Sequence, residues 1–168
     1  EIIDGMQMDL EQTRYLDFAG LERYCYHAAG VVGILAAGIF GYRDERTLEY
    51  AKNLGLAFQL TNIIRDVGED ARKNRIYLPM DELKRFEVPA PDILQAKYSE
   101  NFGKLMAFQT QRANEFYGKA FEAQPAEDRR TQRLGLIIER EGFKVLTQRT
   151  SLTPMRKLWL AWKTWIAA

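Results

Sequence analysis

The chain reads as an all-α protein, and three observations predict it. Alternation of apolar and polar residues never persists beyond a few positions, so no strand is expected. Apolar residues recur at helical spacing in several stretches, most clearly over residues 54–71 and 99–123. Residues that start and stop helices stand between those stretches: Asp17, Gly41, Asp44, Pro79, Pro125 and the pair Thr153-Pro154. With 168 residues, 46% of them hydrophobic, the chain supports one core, and residues 1–168 read as a single helical domain.

In chain order, Ile2, Ile3, Met6 and Leu10 mark an amphipathic first segment over residues 1–14. Asp17 is an N-cap residue, which places a helix from about Phe18 to Ile39. Within it Ala29, Gly33, Ala37 and Gly41 recur every four residues, with Gly30 and Ala36 beside them. Side chains that small admit a close neighbour, either another helix or a ligand. Gly41-Tyr42 breaks the helix. Asp44 caps the next one, which carries Leu48, Ala51, Leu54 and Leu56 and ends near Ala71. Residues 73–79 form a loop, Pro79 starts a short helix through about Phe86, and Pro89 and Pro91 mark a connector. Ser99 to Ala123 is a long helix with a stripe of Phe102, Leu105, Met106, Ala113, Phe116, Tyr117, Ala120 and Phe121. Pro125 opens a further helix, from Ala126 to about Glu141, which Gly142 ends. Thr153-Pro154 starts the last one, through Ile166.

Composition narrows the function classes. The net charge is +1, which gives no bulk attraction to nucleic acid. The charge is unevenly placed: residues 1–28 hold six acids and two bases, and residues 129–168 hold nine bases and two acids. A basic C-terminal stretch suits diphosphates or anionic lipid headgroups, and equally a solvated helix face. The single cysteine, Cys25, allows no internal disulfide and points to a reducing compartment. It lies in an apolar stretch and reads as core. His27 has no histidine or cysteine partner for zinc and reads as packing or polar fill. No apolar run approaches the length that spans a bilayer. The expected location is the cytoplasm.

The chemistry gathers in Leu54–Pro79. On a helix turning about 100° per residue, Asn62, Asp66 and Asp70 step round by roughly 40° each. Glu69 falls in the same arc, and Gln59 joins it one turn earlier. Ala57, Leu60, Ile64 and Val67 take the opposite, core-facing side. Oxygen side chains at i, i+4 and i+8 lie about 6 Å apart along the axis. That spacing suits a hard divalent cation such as Mg²⁺, bound through a few carboxylates and substrate phosphates. Arg65 and Arg72 flank the arc and can meet phosphate oxygens with a planar fork. The same stripe also reads as a solvated acidic face, in which Glu69 pairs with Lys73 at i+4.

This string, with Gly55, Gln59, Asn62, Arg65-Asp66, Asp70, Arg75, Tyr77 and Pro79, resembles the second aspartate-rich motif of the squalene/phytoene synthase family. Upstream, Tyr24-Cys25-Tyr26-His27-Ala28-Ala29-Gly30-Val31-Val32-Gly33 is similar to the family's YCxxVAGxVG element, with Ala28 where the family often has Val. The resemblance runs through nearly all of the chain. It implies the isoprenoid-synthase helical bundle, here its C-terminal portion. It implies a Mg²⁺-dependent (or Mn²⁺-dependent) head-to-head condensation of two isoprenoid diphosphates. Asn62, Asp66 and Asp70 would hold the metal. Asp66, Asp70 and Tyr24 would be catalytic, Tyr24 by offering its π face to positive charge. Gln59, Arg65, Arg75 and Tyr77 would bind diphosphate, the last two on a flap matching the family's R-x-[FY]-x-P. Tyr24, Ala28, Ala29 and Gly33 match the wall of an apolar tunnel, and Tyr15-Leu16 matches a bend. A first aspartate-rich motif lies upstream of the YCxx element in the family, and Asp4, Asp9 and Asp17 do not form it. The chain therefore looks like the C-terminal part of a longer enzyme, inactive by itself.

Toward the C-terminus the likeness thins. Thr131 stands where many relatives carry a substrate-contacting Tyr, and Arg149 is a candidate phosphate contact with Gln148 beside it. The end, Ser151-Leu152-Thr153-Pro154-Met155-Arg156-Lys157-Leu158-Trp159-Leu160-Ala161-Trp162, looks most like the bacterial presqualene diphosphate synthase branch that feeds hopanoids. Trp159, Trp162 and Trp165 with neighbouring Lys and Arg suit a helix lying in a membrane interface, on the inner face of the membrane, or packed on the bundle. The resemblance implies two farnesyl diphosphates going to presqualene diphosphate or squalene. Two geranylgeranyl diphosphates going to phytoene is the alternative, and a non-catalytic assembly protein is the rival class. A reductive step with NADPH stays open, since the chain has no Gly-rich dinucleotide loop.

Overall fold

The structure is a computed structural model and describes residues 1–125. These form seven α-helices and one π-helical turn: α1 (Ile2–Glu11), α2 (Phe18–Cys25), the π turn (Tyr26–Gly30), α3 (Val31–Phe40), α4 (Arg46–Arg72), α5 (Met80–Arg85), α6 (Ala90–Leu94) and α7 (Glu100–Ala123). Among the described residues the extended pairing is limited to one isolated bridge between Arg14 and Ile76. The all-α reading holds. The helices expected after Pro125, and with them Thr131, Gln148, Arg149 and the three tryptophans, lie outside the described residues.

The long helix α4 is the axis of the fold, and at 27 residues it runs about 40 Å. Its buried face carries Leu56, Ala57, Leu60, Ile64 and Val67, which join Leu105, Met106, Ala113 and Phe116 of α7 and Leu21 and Cys25 of α2 in one core. Each such aliphatic side chain contributes about 1.5–3 kcal/mol on full burial. A bond of 3.2 Å between the Thr61 and Tyr117 hydroxyls ties the same two helices at the edge of that core. Glu82 of α5 forms a buried ion pair with Arg112 of α7 and also accepts from Gln109 at 2.5 Å. The Arg112 guanidinium lies 3.8 Å from the Phe18 ring centre, so α2, α5 and α7 are locked in register around one charge pair.

The caps follow the sequence. Asp17 accepts from the Gly20 amide at 2.8 Å, and Ser99 accepts from the Phe102 amide at 3.0 Å. Asp44 accepts from the Arg46 amide at 2.9 Å. Gly41 stops α3 with a φ of 79°, open to glycine. Helix α4 ends one residue later than expected, with Asn74 at a φ of 57°. The Asn74 amide donates to the Ala71 carbonyl and the Arg75 amide to the Asp70 carbonyl, both at 2.9 Å, which closes a Schellman motif. Three further details differ from expectation. The first helix stops at Glu11, the Pro89–Pro91 connector contains α6, and the stretch Phe18–Ile39 is interrupted by the π turn. On an unbroken α-helix Ala28 would stand over Tyr24 at i+4. The wider turn rotates α3 relative to α2, so Tyr24 and Ala28 have different neighbours.

Candidate active site

The second half of α4 presents Gln59, Asn62, Arg65, Asp66, Glu69 and Asp70, all half-buried, while Leu60, Ile63, Ile64 and Val67 are buried behind them. The amphipathic division expected from the sequence is therefore present. Arg65 grips Asp66 with two bonds, Nε to Oδ1 at 2.8 Å and Nη2 to Oδ2 at 2.6 Å. Two groups expected to serve phosphate and metal separately are thus paired with each other in this structure. Glu69 pairs with Lys73 at 3.0 Å, as i+4 spacing suggests. Burial, and then the charge of Asp66, push the Asp70 carboxyl up to about 6, against the opposing charges of Lys73 and Arg75. A carboxylate raised by a like-charged neighbour is one that added positive charge would stabilise. The donor set of Asn62, Asp66 and Asp70 fits a divalent cation in that respect. Among the described residues no three His, Cys, Asp or Glu side chains converge as a ready-made cage.

The first half of α4 is different. With α3 and the π turn it bounds an apolar groove of about 530 Å³. Ala28, Ala29, Val32, Gly33, Ala36 and Ala37 line one side, and Tyr50, Ala51, Leu54, Gly55 and Phe58 line the other. The expected wall positions Ala28, Ala29 and Gly33 are all present. Two glycines set how closely the walls meet. A Cβ on Gly55 would lie 2.5 Å from the Ala29 carbonyl oxygen, and one on Gly33 would collide with the Ala51 carbonyl. The glycines form the helix crossing, and the alanines beside it line a groove.

Tyr24 corrects the expectation. It is 4% exposed and does not line the groove. Its hydroxyl donates to Asp9 Oδ2 at 3.1 Å, while the Tyr77 hydroxyl donates to Asp9 Oδ1 at 2.7 Å. Arg75 donates from Nη2 to the Asp9 carbonyl at 2.5 Å and from Nη1 to the Gln12 carbonyl at 3.4 Å. The rings of Tyr24 and Tyr77 stack at 5.3 Å, and Tyr15 stacks on Tyr77 at 5.9 Å and packs tilted against Tyr24 at 5.5 Å. Burial, then the neighbouring Tyr77 and Asp9, hold the Tyr24 phenol far above its usual value, so it stays protonated. The expected flap is corrected as well. Residues 73–79 are stitched to residues 13–16 by Ile76 N–H to the Thr13 carbonyl at 3.1 Å and Met80 N–H to the Tyr15 carbonyl at 2.9 Å. Arg14 adds a bond to the Asn74 carbonyl at 2.6 Å. Asp9 is the residue that sequence reasoning missed. Its signal was present in α1, where it lies beside the apolar run, but nothing local says that its partners are 15 and 68 positions away. Cys25 is fully buried and its thiol is pushed up by that burial, as a core cysteine should be. His27 is half-buried, with its ring against Tyr26 at 5.3 Å.

A family model described as squalene/phytoene synthase matches residues 1–155. The chain belongs to the squalene/phytoene synthase family. Curated relatives are phytoene synthases. That of Arthrospira platensis is 43% identical over 135 residues, covering 73% of this chain and 44% of the relative. Phytoene synthase 2 of Solanum lycopersicum is 44% identical over 126 residues, covering 71% and 41%. The chain thus spans less than half the length of these relatives. Among solved structures, a dehydrosqualene synthase superposes with a TM-score of 0.81 at 26% identity, over 97% of this chain and 62% of that one. Squalene synthase HpnC from Alicyclobacillus acidocaldarius superposes with a TM-score of 0.70 at 24% identity, over 86% and 55%, and shares the fold. The squalene/phytoene synthase fold is therefore the isoprenoid-synthase helical fold expected from the two motifs.

Proposed function

We propose that this chain supplies one diphosphate-binding face and part of the prenyl tunnel of an enzyme that joins two isoprenoid diphosphates head to head. One observation carries the reading. On the single helix α4 the groove lining ends at Phe58, and the amide and carboxylate face begins at Gln59. An amphiphile with a long apolar tail and a highly charged head matches that junction in order and in polarity. Asn62, Asp66 and Asp70 would hold a divalent cation, Mg²⁺ or Mn²⁺, with Arg65 released from Asp66 to meet phosphate oxygens. Such a cation supplies positive charge that stabilises the departing diphosphate. Gln59 would orient the same head group. Ala28, Ala29, Gly33, Ala36 and Ala37 would hold the tail extended and keep water from the allylic cation left when the C1–O bond breaks. The second prenyl double bond then attacks that cation, and loss of a proton gives a cyclopropyl diphosphate.

Phytoene synthases at 40–44% identity favour geranylgeranyl diphosphate as substrate. The C-terminal string from Ser151 to Trp162 favours farnesyl diphosphate and is the second reading. The test is product analysis of the whole protein with each diphosphate and Mg²⁺. Phytoene or prephytoene diphosphate supports the first substrate, and presqualene diphosphate or squalene supports the second. No metal-dependent product from either would overturn the enzyme reading and favour a non-catalytic assembly protein. Asp66→Ala is expected to lower turnover by about 10²–10³-fold with the helical fold intact; near-normal turnover would refute the cation assignment.

Peripheral membrane contact through Trp159, Trp162 and Trp165 belongs to the same proposal, on the strength of their Lys and Arg neighbours. Among the described residues no helix is long and apolar enough to cross a membrane. Co-sedimentation with anionic liposomes, with and without residues 153–168, tests this contact.

A further inference from the structure

We propose that Phe58 is the aromatic partner of the allylic cation, and that Tyr117 and Thr61 are positioning residues that hold its ring. The inference rests on the function proposed above. Tyr24, whose place in the sequence suggested that role, is buried outside the groove. Among the described residues the aromatic side chains that line the groove are Tyr50 and Phe58. Tyr50 stands eight positions earlier on α4, about 12 Å further from the carboxylates. Phe58 is 42% exposed and opens the ladder that continues at every fourth residue through Asn62, Asp66 and Asp70. Its ring therefore stands one turn, about 6 Å, before the first residue of the polar ladder. A diphosphate head held on that ladder, with its tail in the groove, puts the C1–O bond between the head and Phe58. When the bond breaks, both electrons leave with the diphosphate, and positive charge develops on the prenyl carbons beside the ring. A ring face attracts a cation within about 6 Å of its centre and forms no bond to it.

The ring is also held. Phe58 meets Tyr117 of α7 edge to face, with ring centres 5.9 Å apart and planes at 76°. In that arrangement at least one face of Phe58 stays clear of Tyr117. Tyr117 is itself fixed twice. It stacks on Phe121 at 6.3 Å, and its hydroxyl lies 3.2 Å from that of Thr61. Thr61 gives its one proton to the Ala57 carbonyl at 2.8 Å, so Tyr117 is the donor in the bond between the hydroxyls. A tail needs only an apolar wall, which leucine would supply. A ring braced by a second ring, whose own hydroxyl is tied back to α4, supplies a fixed π surface as well.

The experiment replaces Phe58 in the whole protein by Leu, and by mono-, di- and trifluorinated phenylalanine, which keep the shape of the ring while draining electron density from its face. The single-turnover rate with Mg²⁺ and the preferred diphosphate is expected to fall about tenfold or more in Phe58→Leu, with substrate affinity within about threefold. It should fall stepwise with each added fluorine, a trend that a plain packing role would not produce. Tyr117→Phe keeps the second ring and loses its hydroxyl, and should lower the rate about threefold. A second readout needs no turnover. A prenyl trimethylammonium ion, with a fixed charge where the cation forms, is bound in the presence of Mg²⁺ and inorganic pyrophosphate and compared with its uncharged tert-butyl isostere. The preference for the charged compound should shrink about tenfold in Phe58→Leu and by graded amounts across the fluorinated series. A rate that ignores fluorination, or a preference unchanged by Phe58→Leu, would overturn the inference. An unaltered rate in Tyr117→Phe would overturn the part given to Tyr117 and Thr61. A wild-type protein that makes no product from either diphosphate defeats the function proposed above, while the ammonium comparison still tests Phe58.

Discussion

The two halves of α4 solve different problems with one continuous helix. From Arg46 to Phe58 it is a packing surface, with Gly55 letting the backbone of Ala29 approach and small side chains leaving a groove alongside. From Gln59 to Arg72 it is an electrostatic surface, with the charge of Asp66 close enough to disfavour that of Asp70. The first half is stabilised by contact and tolerates no added volume at the crossing. The second half holds repulsive charge beside the core, which a ligand of opposite charge would relieve. Function at the junction requires both.

The largest break in this comparison comes from the first half. Gly55→Val must push the Ala29 carbonyl away and is expected to destabilise the protein by about 3 kcal/mol, as measured by urea unfolding. Substitution of Asp66 belongs to the second half and should leave the unfolding midpoint nearly unchanged while removing activity.

The next effect is a pH dependence confined to the second half. Folded Asp70 titrates near 6 against 3.8 for an ordinary aspartate, so the folded state binds that proton more tightly than the unfolded state. Without divalent cation, its contribution is most favourable below about pH 4, is lost as pH rises through 6, and is flat above. After allowance for solvent screening it amounts to roughly 1–2 kcal/mol. Asp70→Asn should flatten that slope in a series of unfolding curves. Added Mg²⁺ should stabilise the native protein more at pH 7.5 than at pH 5, because the cation competes with the proton for Asp70.

A smaller change sharpens the first half. Ala36→Leu projects into the groove rather than the crossing, so stability should move by less than about 1 kcal/mol. Binding of an apolar fluorophore should weaken several-fold, and the longer prenyl diphosphate should lose more turnover than the shorter one. A further effect lies at the boundary. Thr61→Val removes the bond to Tyr117 and should cost about 1 kcal/mol, with the polar face and the groove both intact.

Much of this is legible in the sequence. The period of Leu60, Ile64 and Val67 against Asn62, Asp66 and Asp70 is a local property of a helix, and so are the caps at Asp17 and Ser99. The groove residues Ala28, Ala29 and Gly33 are accessible through their spacing and the family likeness. The Asp9 knot is not, because it joins α1, α2 and the loop after α4 through side chains that are polar, ordinary in sequence and far apart. The π turn is hidden for a related reason. No residue in Tyr26–Gly30 demands it, and its benefit emerges only in what Tyr24 and Ala28 can reach on separate neighbours.

By itself, then, the sequence determined the helices, their buried faces and the alignment of an amide and two carboxylates along α4, because helical periodicity is set by bonds between near neighbours. Tertiary structure decided that residues 73–79 are tied down rather than free, and that Tyr24 answers to Asp9. Charge pairing and hydrogen bonding depend on distances between elements, and these exist only once α1, α2 and α4 have packed.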